Sequence, residues 1–300
     1  QVPKNRWRFR MHLFRAYYDA YTRARLLYET ELERQALEQL AAAPKVGATA
    51  AIEQARATLK QASTKNAWPE LRAKLDALGE ELFQEIGLQT SVPRYKASGY
   101  ERGAVLDFID YPLNNRWWLE DQFDRISRLA DRDAQLRQLD VVRNWENPGE
   151  GGYYDIIGHV GRSPRVAKLY NAGDQMRHNQ EFPAPTQKWF GEKHNNLRLA
   201  WHIYLNRVPS GIVYNDLDSS ARYVVRLFSQ RQSPLLIDGE KAKLLSTGDT
   251  YGEVTEQTFE VPKSASADGT IKLTWEQLDE TNLNWRNRHY VTDIWVMKKK

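Results

Sequence analysis

Between Trp7 and Leu40 the apolar residues Trp7, Met11, Phe14, Tyr18, Tyr21, Tyr28 and Leu32 recur at three- and four-residue spacing, and Arg25 stands where the stripe asks for another. That period predicts one long amphipathic helix laid against a core. Pro44 to Gly47 breaks it, and Ile52, Ala55, Leu59 and Ala62 mark a second helix. Asn66 with Pro69 opens a third, striped by Leu71, Leu75, Leu78, Leu82 and Ile86. A fourth is expected from about Asn115 to Leu139 through Trp118, Ile126 and Leu129. Short links at the first two turns favour an antiparallel bundle. Thr90 to Asn114 carries Pro93, Gly99, Gly103 and Pro112 without a sustained period, which makes it a long loop.

After Val141 the period shortens to two. Arg222 to Phe228, Leu235 to Asp238, Thr258 to Val261, Ile271 to Glu276 and Tyr290 to Val296 predict strands, and Leu197 to Leu205 is a further candidate. Asp238-Gly239 and Asp268-Gly269 supply turns. The expected fold is α+β with two domains: an antiparallel helical bundle over 1–140, then an antiparallel jelly-roll-like β-sandwich over 141–300. The stretch from Arg137 to Asn144 offers no Gly/Ser- or Pro-rich linker, so the halves are expected to form one rigid unit.

Composition narrows the function classes. The absence of cysteine excludes disulfides, thiol nucleophiles and thiolate zinc sites. The net charge of +4 is spread over both halves, and only Lys4, Arg6, Arg8, Arg10 and Arg15 concentrate it, which argues against a nucleic-acid partner. No apolar run approaches the roughly 18 residues of a membrane span. The chain opens on Gln1, without methionine, which predicts a processed product or a piece of a longer protein with an upstream polypeptide or partner chain. Ten tryptophans and fifteen tyrosines are an excess that suits flat, partly wet binding surfaces as well as cores.

The richest candidate site is the run from Trp145 to Asp155, where three glycines separate aromatic and acidic residues. Trp145, Tyr153 and Tyr154 could stack on the apolar faces of sugars while Glu146, Asn147 and Asp155 accept hydroxyl hydrogen bonds. The competing reading is a structural loop with buried aromatics. Glu146, Asn147 and Asp155 also offer oxygen ligands for a structural calcium, in no recognised spacing; no other cofactor is expected. The six histidines show no metal-ligand spacing. Catalytic candidates are Asp107 and Asp110 in the long loop, or Glu146 and Asp155, as a carboxylate pair for glycoside cleavage, and Tyr95 and Arg102, with Lys96 and Tyr100, for the proton transfers of a polysaccharide lyase. Loop salt bridges are the alternative for each.

The Trp145-Glu146-Asn147-Pro148-Gly149 run with Gly151-Gly152-Tyr153-Tyr154-Asp155, followed by Leu217-Asp218-Ser219-Ser220-Ala221-Arg222-Tyr223 and Asp293-Ile294-Trp295-Val296, resembles the C-terminal region of large secreted bacterial proteins associated with polysaccharide utilisation. The segment Pro112-Leu113-Asn114-Asn115-Arg116 looks like the helical part that precedes it. The strand-rich half is similar in architecture to galactose-binding and malectin-like sandwiches. The resemblance implies a secreted, periplasmic or cell-surface protein and a polysaccharide or oligosaccharide partner, but no catalytic residues. The expected function is therefore a non-catalytic carbohydrate-binding or accessory part of a polysaccharide-active protein. The alternative is a catalytic component of a glycoside hydrolase or polysaccharide lyase that uses the 90–114 loop.

Overall fold

The computed structural model describes residues 6–64, 67–96, 105–157, 164–167, 198, 204–205, 211–230, 234–251, 254–276 and 289–299. The chain is α+β: helices occupy the first part and two antiparallel sheets the second. Contacts divide it into two compact units; among the described residues the first ends at Arg143 and the second begins at Asn144.

The first unit contains α1 (Arg6–Leu40), α2 (Ala43–Val46), α3 (Ala48–Thr64), α4 (Pro69–Ile86), α5 (Val92–Tyr95), α6 (Arg116–Ser127) and α7 (Arg132–Arg143). Helix α1 packs on α3, α4 and α7. Its buried face runs through Phe14, Tyr21, Arg25, Glu29, Leu32, Ala36 and Leu40. Arg25 thus sits inside the stripe it interrupts. Phe14 and Tyr21 meet Leu75, Leu78 and Leu82 of α4, together with Leu106 and Ile109, in one apolar cluster. Pro69 opens α4, and its last turn closes at Gly87 in the left-handed conformation (φ +69°) that glycine adopts without a Cβ penalty.

The expected fourth helix is two helices. Asp131 ends the first run by capping the second: its carboxylate accepts hydrogen bonds from the backbone N–H of Asp133 (3.3 Å) and Ala134 (2.9 Å). A short acceptor there satisfies donors that the helix itself leaves open, so a new helix starts where the apolar period alone ran on.

The second unit contains β1 (Tyr153–Ile156), α8 (Pro164–Ala167), β2 (Tyr204–Leu205), β3 (Ile212–Tyr214), β4 (Tyr223–Gln230), β5 (Leu235–Ile237), β6 (Glu240–Lys241), β7 (Lys243–Tyr251), β8 (Val254–Glu260), β9 (Ile271–Trp275) and β10 (His289–Lys298). One sheet runs in the order β1-β10-β4-β8-β7, with β2 also on β10, and the other in the order β3-β9-β5-β6; every pairing is antiparallel. Alternation along the strands sends Tyr223, Val225, Leu227, Phe259, Val291, Ile294 and Val296 from the larger sheet into a core shared with Ile212, Leu235, Ile237, Ile271 and Leu273 from the smaller. Of the strand expected over Leu197 to Leu205, only Arg198 and Tyr204–Leu205 are described, the latter as β2. Asp238 (φ +51°) and Gly239 (φ +85°) form the tight turn between β5 and β6.

Strand β3 is an edge, and its approach is fixed by Gly211. At φ +71° this residue lies where L side chains are strained, and an added Cβ would stand 2.7 Å from the carbonyl oxygen of Leu273 on β9. Replacing Gly211 by Ala is expected to lower the unfolding free energy by more than about 1 kcal/mol, because both the backbone conformation and the close approach oppose it. Denaturant titration measures this, and an unchanged midpoint would contradict the β3–β9 register.

Candidate functional site

In the second unit the aromatic and acidic loop is folded inward. The Trp145 ring is 7% exposed and packs against Phe228 (centroids 5.4 Å apart) and Trp295 (5.6 Å), while its carbonyl oxygen accepts from the Trp295 indole N–H at 2.8 Å. Phe228 and Trp295 lie on the face of β4 and β10 opposite the shared core, so Trp145 covers a sheet and presents no open stacking face. This corrects the sugar-platform expectation for Trp145. Tyr154 packs on Trp295 as well (5.2 Å), and its hydroxyl donates to Asp293. Tyr153 lies beside Tyr214 under the guanidinium of Arg165, with its hydroxyl donating to the Asn215 carbonyl at 2.6 Å.

Two arginines, the buried Arg198 and the half-buried Arg165, hold this arrangement. Arg198 donates to Asp293 (2.9 Å), to the Tyr154 hydroxyl (3.0 Å) and to Glu146 (2.6 Å). Burial alone would lower the Arg198 pKa, but Tyr154, Asp293 and Glu146 together raise it above its ordinary value. Burial, followed by the charge of Asp293, pushes the Tyr154 hydroxyl well up. Arg165 pairs with the fully buried Asp155 at 2.7 Å. Asn147 accepts from the N–H of Gly149 at 2.9 Å and shapes the turn. Glu146 and Asp155 are thus each committed to an arginine, and Asn147 to the backbone. Among the described residues, no group of three or more His, Asp or Glu side chains is placed to hold a metal ion, and no helix is long and apolar enough to cross a membrane.

In the first unit the long loop is built onto α1 by buried ionic groups. Arg25 donates to the carbonyl oxygens of Ile109, Asp110 (3.2 Å) and Tyr111 (2.9 Å) and to Glu29 at 2.5 Å. Glu29, 1% exposed, accepts from the N–H of Leu113 at 2.8 Å, and its own carbonyl accepts from the Asn114 side chain at 2.7 Å. One turn on, Glu33 accepts from both the backbone and the side chain of Asn115 (2.9 and 2.8 Å). Asn114 then accepts from the N–H of Arg116, the first residue of α6, at 3.3 Å. Of the adjacent tryptophans, Trp118 is buried and Trp117 meets the loop residue Tyr111 edge-on at 5.4 Å.

This construction leaves a cavity of about 330 Å³ lined by Tyr21, Arg25, Tyr28 and Glu29 of α1, Ala62 and Ser63 of α3, Ala67 and Trp68 before α4, Asp110 of the loop and Arg116 of α6. Its size falls at the lower end of the range for small-molecule sites, about 300–1,000 Å³. Tyr28 and Trp68 meet edge to face at 5.8 Å. Asp110 accepts from the Tyr21 hydroxyl (2.6 Å) through one oxygen and from Arg72 (3.1 Å) through the other. Burial, then the bond to Asp110, raises the Tyr21 pKa well above its ordinary value. Exposed Ser63 and Ala67 mark the rim.

The loop residues expected to share a catalytic site have separate partners. Asp110 lines the cavity, whereas Asp107 accepts from the Ser91 hydroxyl (2.6 Å) and the Val92 N–H (2.8 Å) and so anchors the start of α5. Tyr95 stacks on Phe83 (4.2 Å) and donates to Glu80 at 2.8 Å. Arg102, Tyr100 and the histidines at 159, 178, 194 and 202 lie outside the described residues. The composition and spacing of the sequence did not single out Tyr28, Glu29, Trp68 and Arg116 as a site. The signal that pointed there was the charged residue in the apolar stripe of α1. Comparison of the chain with protein-family models, with curated proteins and with solved structures gives no match.

Tyr95 also contributes to a pH-sensitive contact. Gln84, Tyr95 and Arg94 donate to Glu80 and lower its carboxyl from the ordinary 4.5 to about 2. A folded value below the unfolded one gives a stabilisation that is present above about 4.5 and lost as the pH falls toward about 2. Acid titration followed by circular dichroism is expected to show the wild type losing stability in that window. The Glu80→Gln variant should be flatter there, and identical acid profiles would refute the contact.

Proposed function

We propose that this protein is a non-catalytic saccharide-recognition component of a polysaccharide-active assembly, and that its ligand site is the cavity of the helical unit. The observation that carries the reading is the meeting of Tyr21, Tyr28 and Trp68 with Arg25, Arg116, Glu29 and Asp110 in one small recess. A sugar ring offers apolar C–H faces to aromatic rings and hydroxyls that both donate and accept, so mixed walls of this kind match it on both counts. Glu29 and Asp110 are engaged by fixed donors on both carboxylate oxygens, so they shape the recess and leave the rings and Arg116 to meet a ligand. Glycoside cleavage instead calls for a carboxylic acid kept protonated beside the scissile bond. The helices are read as an antiparallel bundle and the sheets as a jelly-roll-like sandwich. Within that sandwich the Trp145 loop has an architectural role, since its aromatic and acidic side chains are spent on internal contacts. The resemblance to secreted polysaccharide-utilisation proteins supplies the substrate class and the extracytoplasmic setting.

Titration of the full chain with a panel of plant, algal and host oligosaccharides, followed by tryptophan fluorescence and calorimetry, tests this reading. Trp68→Ala and Tyr28→Ala are each expected to weaken binding about tenfold or more, equivalent to about 1.4 kcal/mol. Asn147→Ala, in the loop of the second unit, should leave affinity unchanged. Binding lost in Asn147→Ala but retained in Trp68→Ala would move the site to that loop, and silence against the whole panel would end the saccharide reading.

A further inference from the structure

The donors and acceptors around the cavity do not balance, and the excess lies on Arg116. This residue is 8% exposed, and its Nη1 has no hydrogen-bond acceptor among the described residues; the nearest opposite charge is Glu29 Oε2 at 3.7 Å. Glu29 cannot discharge it fully, because the same oxygen accepts from Leu113 and the other from Arg25. Asp110 is committed to Tyr21 and Arg72. A guanidinium is a donor only and stays charged, so burying it with an open N–H is costly unless an acceptor arrives, and an anionic oxygen is the strongest one. Desolvation lowers the Arg116 pKa, and the neighbouring Arg25 adds to that against the pull of Glu29, which is the condition of an incompletely compensated cation.

We infer that the ligand of this cavity carries an acidic group, a uronate carboxylate or a sulfate ester, and that the incompletely compensated guanidinium of Arg116, which lines the cavity, is its anchor. The inference rests on the saccharide reading and narrows it from sugars in general to acidic sugars. Trp68 and Tyr28 would face the ring while Arg116 takes the charged substituent. A bound anion would also relieve the repulsion between Arg116 and Arg25, so affinity should weaken as salt rises.

The experiment is calorimetric titration of the full chain with three probes of matched length: an oligogalacturonate, a sulfated galactan oligosaccharide and a neutral galactan oligosaccharide. The expected result is that at least one acidic probe binds tenfold or more tightly than the neutral one, and which of them does so identifies the source of the charge. Arg116→Gln should abolish that preference while neutral binding persists. Arg116→Lys, which keeps the charge without the planar fork, should retain part of it and serves as the second variant should the glutamine form fail to fold. Equal affinity for neutral and acidic probes would overturn the acidic-ligand inference and leave the saccharide site standing. Binding of none of the three, with binding of other neutral sugars, would do the same. No binding to any saccharide would overturn both. A preference that survives unchanged in both variants would remove Arg116 as its cause.

Discussion

The helical unit depends on one buried ion pair. Arg25 and Glu29 are one turn apart on α1, on the face that should have been purely apolar, and between them they take three backbone carbonyls and one N–H of the 109–113 segment. An irregular segment carries backbone polar groups that cannot be buried without partners. Here α1 supplies those partners from its interior face. The loop is consequently held at hydrogen-bond precision to a helix of 35 residues, and Asp110 and Arg116 arrive on opposite ends of the held segment facing one recess. A buried pair of this kind contributes little net stability compared with an apolar replacement, whereas losing one partner costs about 3–5 kcal/mol. Its consequence is placement.

The second unit uses the same device on a sheet. Arg198 ties Glu146 and Tyr154 to Asp293 on the outer face of β10, and Arg165 ties Asp155 beside Tyr153 and Tyr214. Strand β10 is therefore buried on both faces: Val291, Ile294 and Val296 enter the shared core, and Trp295 is covered by Trp145 and Tyr154. The aromatic richness that suggests a wet platform is consumed in covering that second face. In the helical unit Tyr28 and Trp68, both half-buried and edge to face with each other, stand at a cavity wall.

Regular elements were the most legible in the sequence, because their period is local. The α1 stripe, Pro69 opening α4 and the alternations of β4, β9 and β10 read directly from spacing. Strand β7 did not, since Lys243-Leu244-Leu245-Ser246-Thr247-Gly248 lacks alternation, and the strand is an exposed edge whose pairing comes from β8. The break at Asp131 was hidden because a cap competes with an apolar period that runs through it. The candidate site was legible in one residue only. Arg25 stood out as an interruption, but its partners lie more than 80 positions away, and spacing says nothing about such pairs. Trp145 misled for a physical reason: glycine-rich turns with aromatics serve an open platform and a buried plug equally well.

Helix α1 holds the loop through Glu29 and Glu33, and native-state hydrogen exchange reads that tie residue by residue. The Leu113 and Asn115 amides donate to these two carboxylates at 2.8 and 2.9 Å. They should exchange with the same opening free energy as the amides around Leu32 in the middle of α1, as members of one cooperative unit. Exchange of Leu113 and Asn115 at open-loop rates, while the α1 amides stay protected, would contradict the account.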